Sequence, residues 1–272
     1  MRFLSKIKIV NVRGEILMKA VILAGGYGTR LSEETMNQPK PMVTIGDRPI
    51  IWHIMKIFEH HGITDFIVCC GYKGYVLKEY FANYYLHNSD FSIDLKDATI
   101  DIISQKSESW KITLVDTGKE TQTGGRLKRI KSHINDTFIM TYGDGVSDVN
   151  IKDLVKFHKT HGKYATVTSV QPPGRFGAIQ LSGDLVTAFA EKPKNTAGYI
   201  NGGFFVLEPC VFDFIDGDQT AWEDSPINAL IERKQLVSYT HRGFWRPMDT
   251  LRDKNALDES WRTGEAPWKI WQ

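Results

Sequence analysis

The chain has 272 residues, 42% of them hydrophobic and 24% charged, with a formal net charge of +2. This is the balance of a globular protein long enough to bury a core without disulfides or a structural metal. So small a charge argues against a general affinity for nucleic acid or a membrane surface, and any phosphate ligand must be held by local basic groups. The three cysteines, adjacent Cys69 and Cys70 and distant Cys210, have neither CxxC nor zinc-finger spacing and fit a reducing cytoplasm. No apolar run approaches the ~20 residues that span a bilayer.

Residues 1–17 carry Arg2, Lys6, Lys8 and Arg13, which interrupt any signal-peptide core, and they read as a dispensable N-terminal extension. Met18 then opens a first strand, with Val21-Ile22-Leu23-Ala24 as its buried part and a glycine-rich loop behind it. Residues 49–61 place Ile51, Ile54, Met55, Ile57 and Phe58 mostly on one helical face. That helix ends at His60, His61 and Gly62, which suit a C-terminus and its dipole. Residues 66–71 read as a second strand and 73–83 as a second helix. From 91 to 117 apolar and polar residues alternate, which predicts strands with one exposed face. A basic helix over 124–133, a buried strand over 138–142, a helix over 149–160 and a strand over 165–170 follow. Strand segments around 178–179, 185–190 and 204–207 come next, then a helix over 226–234, a strand over 236–240 and a helix over 250–261. Strands alternating with helices predict a single domain over 18–272, a Rossmann-like α/β fold. Its sheet is mixed and mostly parallel, flanked by helices, with a small antiparallel β insertion. The aromatic C-terminal residues Trp261, Trp268 and Trp271 are expected to pack on the protein surface and partly at a subunit contact, giving a homo-oligomer.

Leu23-Ala24-Gly25-Gly26-Tyr27-Gly28-Thr29-Arg30 follows the first strand directly. Its glycines let backbone N–H groups approach phosphate oxygens, and Arg30 can clamp them. It is not a P-loop, for want of the Lys-Ser/Thr, and Leu31 spoils a dinucleotide fingerprint. Pro39-Lys40-Pro41-Met42 presents Lys40 from a stiff backbone, which suits a phosphate ligand. Asp144, between Gly143 and Gly145 at the end of an apolar strand, can face an open crevice. Asp249 reads as a helix N-cap or a metal ligand, the latter favoured because magnesium in phosphoryl sites takes one or two carboxylates.

The glycine loop together with Pro39-Lys40-Pro41-Met42 resembles the sugar-1-phosphate nucleotidyltransferases. The resemblance continues in order through Tyr142-Gly143-Asp144-Gly145, Arg175-Phe176-Gly177, Glu191-Lys192-Pro193, Asn201-Gly202-Gly203-Phe204 and Met248-Asp249-Thr250, covering 18–252. The stretches 110–118, 123–129, 243–253 and 266–269 resemble the subgroup that transfers cytidylyl groups to glucose 1-phosphate. The resemblance implies CTP and glucose 1-phosphate as substrates, diphosphate and CDP-glucose as products, and a magnesium ion on Asp144 and Asp249. It also implies a cytoplasmic role in supplying deoxyhexose for surface polysaccharide such as O antigen. Arg30, Lys40 and Lys192 are the expected catalytic residues. The nucleotide is expected on Leu23, Ala24, Gly25, Gly26, Gly28, Thr29, Arg30, Lys40, Thr121, Gly124, Gly125, Arg126 and Gly143, with Arg126 donating to the base. The sugar phosphate is expected on Gly177, Glu191, Lys192, Asn201 and Gly202. Transfer from dTTP or UTP, and a catalytically silent nucleotide-sugar-binding subunit, are the alternatives.

Overall fold

The structure, a computed structural model, describes residues 18–105, 107–172, 178–182, 185–190 and 198–272. The extension 1–17, Arg175-Phe176-Gly177 and Glu191-Lys192-Pro193 lie outside the described residues. In chain order the first strands are β1 (Lys19–Ala24), β2 (Thr44–Ile45), β3 (Arg48–Pro49), β4 (Asp65–Cys70), β5 (Ser89–Asp94), β6 (Thr99–Gln105) and β7 (Lys111–Asp116). Then come β8 (Phe138–Tyr142), β9 (Gly145–Ser147), β10 (Ala165–Val170), β11 (Ala178–Ser182), β12 (Leu185–Ala190), β13 (Ile200–Leu207), β14 (Leu236–His241) and β15 (Trp245–Pro247). The helices are α1 (Ser32–Thr35), α2 (Ile50–His60), α3 (Gly74–Ala82), α4 (Tyr84–His87), α5 (Thr123–Arg129), α6 (Ile151–His161), α7 (Ser225–Glu232) and α8 (Leu251–Arg262).

A seven-stranded sheet in the order β14-β10-β13-β8-β1-β4-β7 carries the fold. β1 pairs in parallel with β4 and β8, β4 with β7, and β10 with β14, while β13 runs against both of its neighbours. The β5–β6 and β11–β12 pairs form separate antiparallel hairpins. Central parallel strands bury both faces, so they must be apolar throughout, as Val21-Ile22-Leu23 and Phe66-Ile67-Val68 are. Because successive side chains alternate, Ile22, Phe66 and Val68 join one core with Ile54 and Phe58 of α2. Val21 and Ile67 join the other, with Leu127 of α5, Phe138 and Trp222. Among the described residues no helix is long and apolar enough to cross a membrane.

Neither the C-terminal tail nor His61 lies free in solvent, the first as expected and the second against expectation. The C-terminal tail packs into its own chain: Trp268 is fully buried, stacks near Phe244 with centroids 5.5 Å apart, and donates from Nε1 to His53 Nδ1 at 3.4 Å. His53 in turn faces the Ile45 carbonyl with Nε2 at 3.0 Å, and burial pushes it down to about 4, so it is neutral. His61 is not a solvated cation on a helix dipole either. It is buried, and desolvation, ahead of repulsion from His60 and Lys152, lowers it to about 4.

Candidate active site

Parallel strands deliver their loops to one edge, and β1 and β8 are neighbours, so the loops after Ala24 and Tyr142 emerge side by side. Gly143 N–H donates to the Leu23 carbonyl at 3.0 Å and locks the two together. Gly28 sits at φ +67°, with Thr35 Cγ2 3.0 Å and Lys40 Cβ 3.1 Å from where a Cβ would lie, so a side chain there meets both strain and contact. Thr35 Oγ1 donates to the carbonyls of Gly28 and Leu31 at 3.1 and 2.9 Å, and buried Leu31 anchors the loop's end. Arg30 is left projecting with 74% of its side chain exposed.

Pro39 and Pro41 hold a short 3₁₀ turn over Lys40–Met42. Lys40 is only 8% exposed, and its Nζ donates to Asp144 Oδ2 at 2.7 Å and Asp249 Oδ1 at 2.6 Å. Arg30 Nη1 donates to the other oxygen of Asp249 at 2.8 Å. Burial opposes the Lys40 charge, but Asp144 and Asp249 outweigh it and raise the ammonium above its ordinary range. Asp249 reaches the cluster because it is not the cap of α8. Thr250 is the cap: its hydroxyl accepts from Asp253 N at 3.2 Å while the Asp253 carboxylate accepts from Thr250 N at 3.1 Å. A carboxylate one residue before that capping box stays outside the helix and points at the site.

The cluster lies where two crevices meet. The first, of about 390 Å³, is lined by Leu23, Ala24, Gly25, Gly26, Gly28, Thr29, Arg30, Lys40, Thr121, Arg126, Gly143 and Asp144, together with Tyr27, Pro41, Lys119, Glu120, Gln122, Thr123 and Tyr142. The second, of about 330 Å³, shares Arg30, Tyr142 and Asp144 and adds Asn201, Gly202, Gly203, Glu223, Trp245, Pro247 and Asp249. The sequence-predicted Gly177, Glu191 and Lys192 lie outside the described residues.

Three predicted nucleotide contacts have different surroundings from those expected. Gly124 and Gly125 line neither crevice. A Cβ on Gly124 would sit 2.7 Å from the Thr220 carbonyl, and one on Gly125 2.6 Å from Asp218 Cα, so these glycines let α5 seat against the 218–222 loop. Arg126 does reach the first crevice, but its terminal nitrogens are already bonded. Nη1 donates to Gly118 O at 2.7 Å, Thr117 Oγ1 at 2.9 Å and Cys70 O at 3.4 Å; Nη2 donates to Gly25 O at 2.9 Å and Lys119 O at 3.3 Å. It is a buried strut beneath the crevice and not a group held ready for a base. A Cβ on Gly25 would lie 2.2 Å from Arg126 Nη1, so that glycine makes room for the strut.

The polar frame of the second crevice was missed by sequence reasoning. Tyr142 donates its hydroxyl to Glu223 Oε1, Thr123 Oγ1 donates to Glu223 Oε2 at 2.6 Å, and Asn201 Nδ2 donates to the Tyr142 hydroxyl at 3.4 Å. Burial, ahead of the Glu223 charge, pushes the Tyr142 phenol strongly up, so it stays protonated. Trp245 Nε1 donates to Gly202 O at 2.7 Å and closes the far side. Glu223 lies just ahead of a helix, where an acidic residue reads as ordinary helix-start chemistry, so nothing local marked it.

A glycine loop at a strand end, a buried lysine between two aspartates and twin crevices meeting there define a site for joining two phosphorylated substrates. The chain belongs to the nucleotidyl transferase family, whose pattern matches residues 19–253. Among curated proteins it is similar to glucose-1-phosphate cytidylyltransferase of Salmonella typhi, 56% identical over 257 residues, which is 94% of this chain and 100% of that protein. It is 32% identical over 249 residues to mannose-1-phosphate guanyltransferase of Saccharomyces cerevisiae, covering 88% of this chain and 63% of that one. Among solved structures, HddC from Yersinia pseudotuberculosis shares the fold with a TM-score of 0.65 at 21% identity, over 90% of this chain and 100% of that one.

Proposed function

We propose that the protein transfers the cytidylyl group of CTP to glucose 1-phosphate, giving CDP-glucose and diphosphate. The observation that carries this reading is the convergence of Asp144, Asp249, Lys40 and Arg30 where the two crevices meet. Similarity to the Salmonella enzyme over the whole of its length supports the choice of substrates. The first crevice takes the triphosphate and the second the sugar phosphate. An oxygen of glucose 1-phosphate attacks the α-phosphorus in line, the bond to the β-phosphate bridging oxygen breaks, and diphosphate leaves.

The donor set fits a hard divalent cation such as magnesium. Two carboxylate oxygens already approach one cationic nitrogen within 2.7 Å, and magnesium in phosphoryl sites takes one or two carboxylates with phosphate oxygens completing its shell. Asp144 and Asp249 would hold the ion, which supplies charge neutralisation around the α-phosphorus. The remaining work belongs to the chain. Lys40 and Arg30 would set their charge against the triphosphate and the leaving diphosphate. Lys192 orients the attacking phosphate, Glu191 and Gly177 meet the sugar, and Asn201 and Gly202 line its crevice. Catalysis is then positioning and electrostatics, with no covalent intermediate.

Residues 18–272 are the catalytic unit in this reading, and 1–17 are separable from it. A cytoplasmic protein feeding deoxyhexose synthesis for surface polysaccharide fits these substrates. The homo-oligomer forms through the β5–β6 hairpin. Paired Phe91 with Ile102 and Ile93 with Ile100 make one apolar face, and Ile93 and Ile100 are 53% and 51% exposed. An isolated two-stranded hairpin is marginal in water, and a second copy laid on that face supplies the missing layer. The test of the activity is incubation with CTP, glucose 1-phosphate and magnesium. Diphosphate release with a product of the mass of CDP-glucose is expected, and no diphosphate from any nucleotide would refute catalysis.

A further inference from the structure

The first crevice has two walls that the sheet does not join directly. One is the loop after β1, the other the loop after β7, and β4 lies between those strands. Side chains therefore carry the connection. At the floor, Arg126 ties Gly25 O to Gly118 O. At the rim, the Tyr27 hydroxyl donates to Glu120 Oε1, across 93 residues of sequence.

The rim contact is held from both sides. The Tyr27 ring lies 5.1 Å from that of Tyr72, whose backbone N–H donates to Gly25 O at 3.1 Å, and Lys119 Nζ sits 5.8 Å from the Tyr27 centroid. Lys73 Nζ in turn lies 5.3 Å from the Tyr72 centroid. Tyr27 and Glu120 both line the crevice, and Tyr27 is 39% exposed. A phenol–carboxylate bond so open to water adds little to folding. It also sets an anionic side chain at the mouth of a crevice lined by Arg30 and Lys40, where bare negative charge opposes an incoming triphosphate. The donated hydroxyl offsets part of that charge while the contact is made.

We propose that Tyr27 and Glu120 form a rim tie that closes the nucleotide crevice, parting to admit the nucleoside triphosphate and re-forming behind it. This rests on the reading of the first crevice as the nucleotide site. Both are positioning residues: they line the crevice without joining the Asp144–Lys40–Asp249 cluster. The tie governs how fast nucleotide enters and leaves, and it has no part in the sugar-phosphate crevice.

The experiment measures the dissociation rate of ribose-labelled methylanthraniloyl-CTP by stopped flow, with KM for CTP and for glucose 1-phosphate, in full-length protein. Tyr27→Phe and Glu120→Ala should each speed dissociation about three- to tenfold, the worth of one net hydrogen bond, and speed association with it, so that the CTP KM moves less than either rate. The double variant should match either single, since both remove the same contact. Glu120→Gln, whose amide oxygen still accepts, should stay near wild type, and KM for glucose 1-phosphate should not move. Additive effects, a Glu120→Gln as impaired as Glu120→Ala, or an unchanged rate in Tyr27→Phe would overturn the tie. Should wild type turn over UTP and not CTP, the cytidylyl reading fails, and the same rates taken with labelled UTP still decide the tie.

Discussion

Replacing Arg126 by alanine separates two roles that one arginine beside a nucleotide crevice can have. Its guanidinium makes three contacts of 2.7–2.9 Å, to Gly118 O, Thr117 Oγ1 and Gly25 O, and two longer ones. Each charge-assisted bond is worth about 1.5–3 kcal/mol at a buried site. Two of the carbonyls keep other donors: Gly25 O retains Tyr72 N at 3.1 Å, and Cys70 O retains Thr117 N at 2.9 Å and Thr117 Oγ1 at 2.7 Å. Removing the guanidinium also relieves its own desolvation, which already depresses the group below its ordinary range. These offsets reduce the sum to about 2–4 kcal/mol. For a chain of this size that lowers the thermal midpoint by roughly 4–8 °C. Arg126→Lys should recover only part, because an ammonium lacks the fork that spans both loops. Calorimetric melting beside kcat/KM for CTP and UTP makes the comparison. An Arg126→Ala protein that melts like wild type yet loses only its base preference would refute the strut and restore a base contact.

The remaining expectations concern charge, pH and packing. Asp144→Asn and Asp249→Asn each leave Lys40 one carboxylate, so both should fold, while diphosphate release drops by roughly 10²–10³ or more. Stability should fall on acidification between about pH 6.5 and pH 4. The unfolded chain protonates its histidines near 6.5, whereas His53 and His61 resist until about 4, so the unfolded state gains protons first and its weight rises as pH drops. Urea titrations across that window should show a loss of up to about 3 kcal/mol per histidine, and a flat profile would contradict it. Trp268→Ala should cost about 3–5 kcal/mol, read by the same titration, because its ring is fully buried against Phe244 and beside His53.

What could be read in the sequence was whatever chemistry lies in short contiguous stretches. The glycine loop, the proline-bracketed Lys40 and the strand-ending Asp144 each carry their meaning locally, and apolar runs such as 66–68 announce strands of a buried parallel sheet. Arg126 failed that test because its partners sit 101 residues back at Gly25 and 8 residues back at Gly118. A basic residue on a helix gives no sign that carbonyls will surround it. Glu223 belongs to the site only because β8 brings Tyr142 against it from 81 positions away. Asp249 and Thr250 are both good caps, and only the reciprocal bonds with Asp253 show which is used. His61 looked like a helix-end cation because its burial depends on neighbours outside its own helix, Val149 and Lys152 among them.

The central claim is that this site makes a cytidylyl, not a uridylyl or thymidylyl, product. In the proposed reading, the wall that Arg126 ties to Gly25 and Gly118 offers Thr121 and Gln122 to the entering base. Cytosine and uracil exchange donor for acceptor at the 4-position and N3, so a mismatched base leaves unpaired the polar groups that it covers. The decisive measurement is kcat/KM for CTP, UTP and dTTP with glucose 1-phosphate and magnesium, followed by diphosphate release. CTP should lead by roughly 10⁴; equal values for CTP and UTP would contradict the cytidylyl assignment.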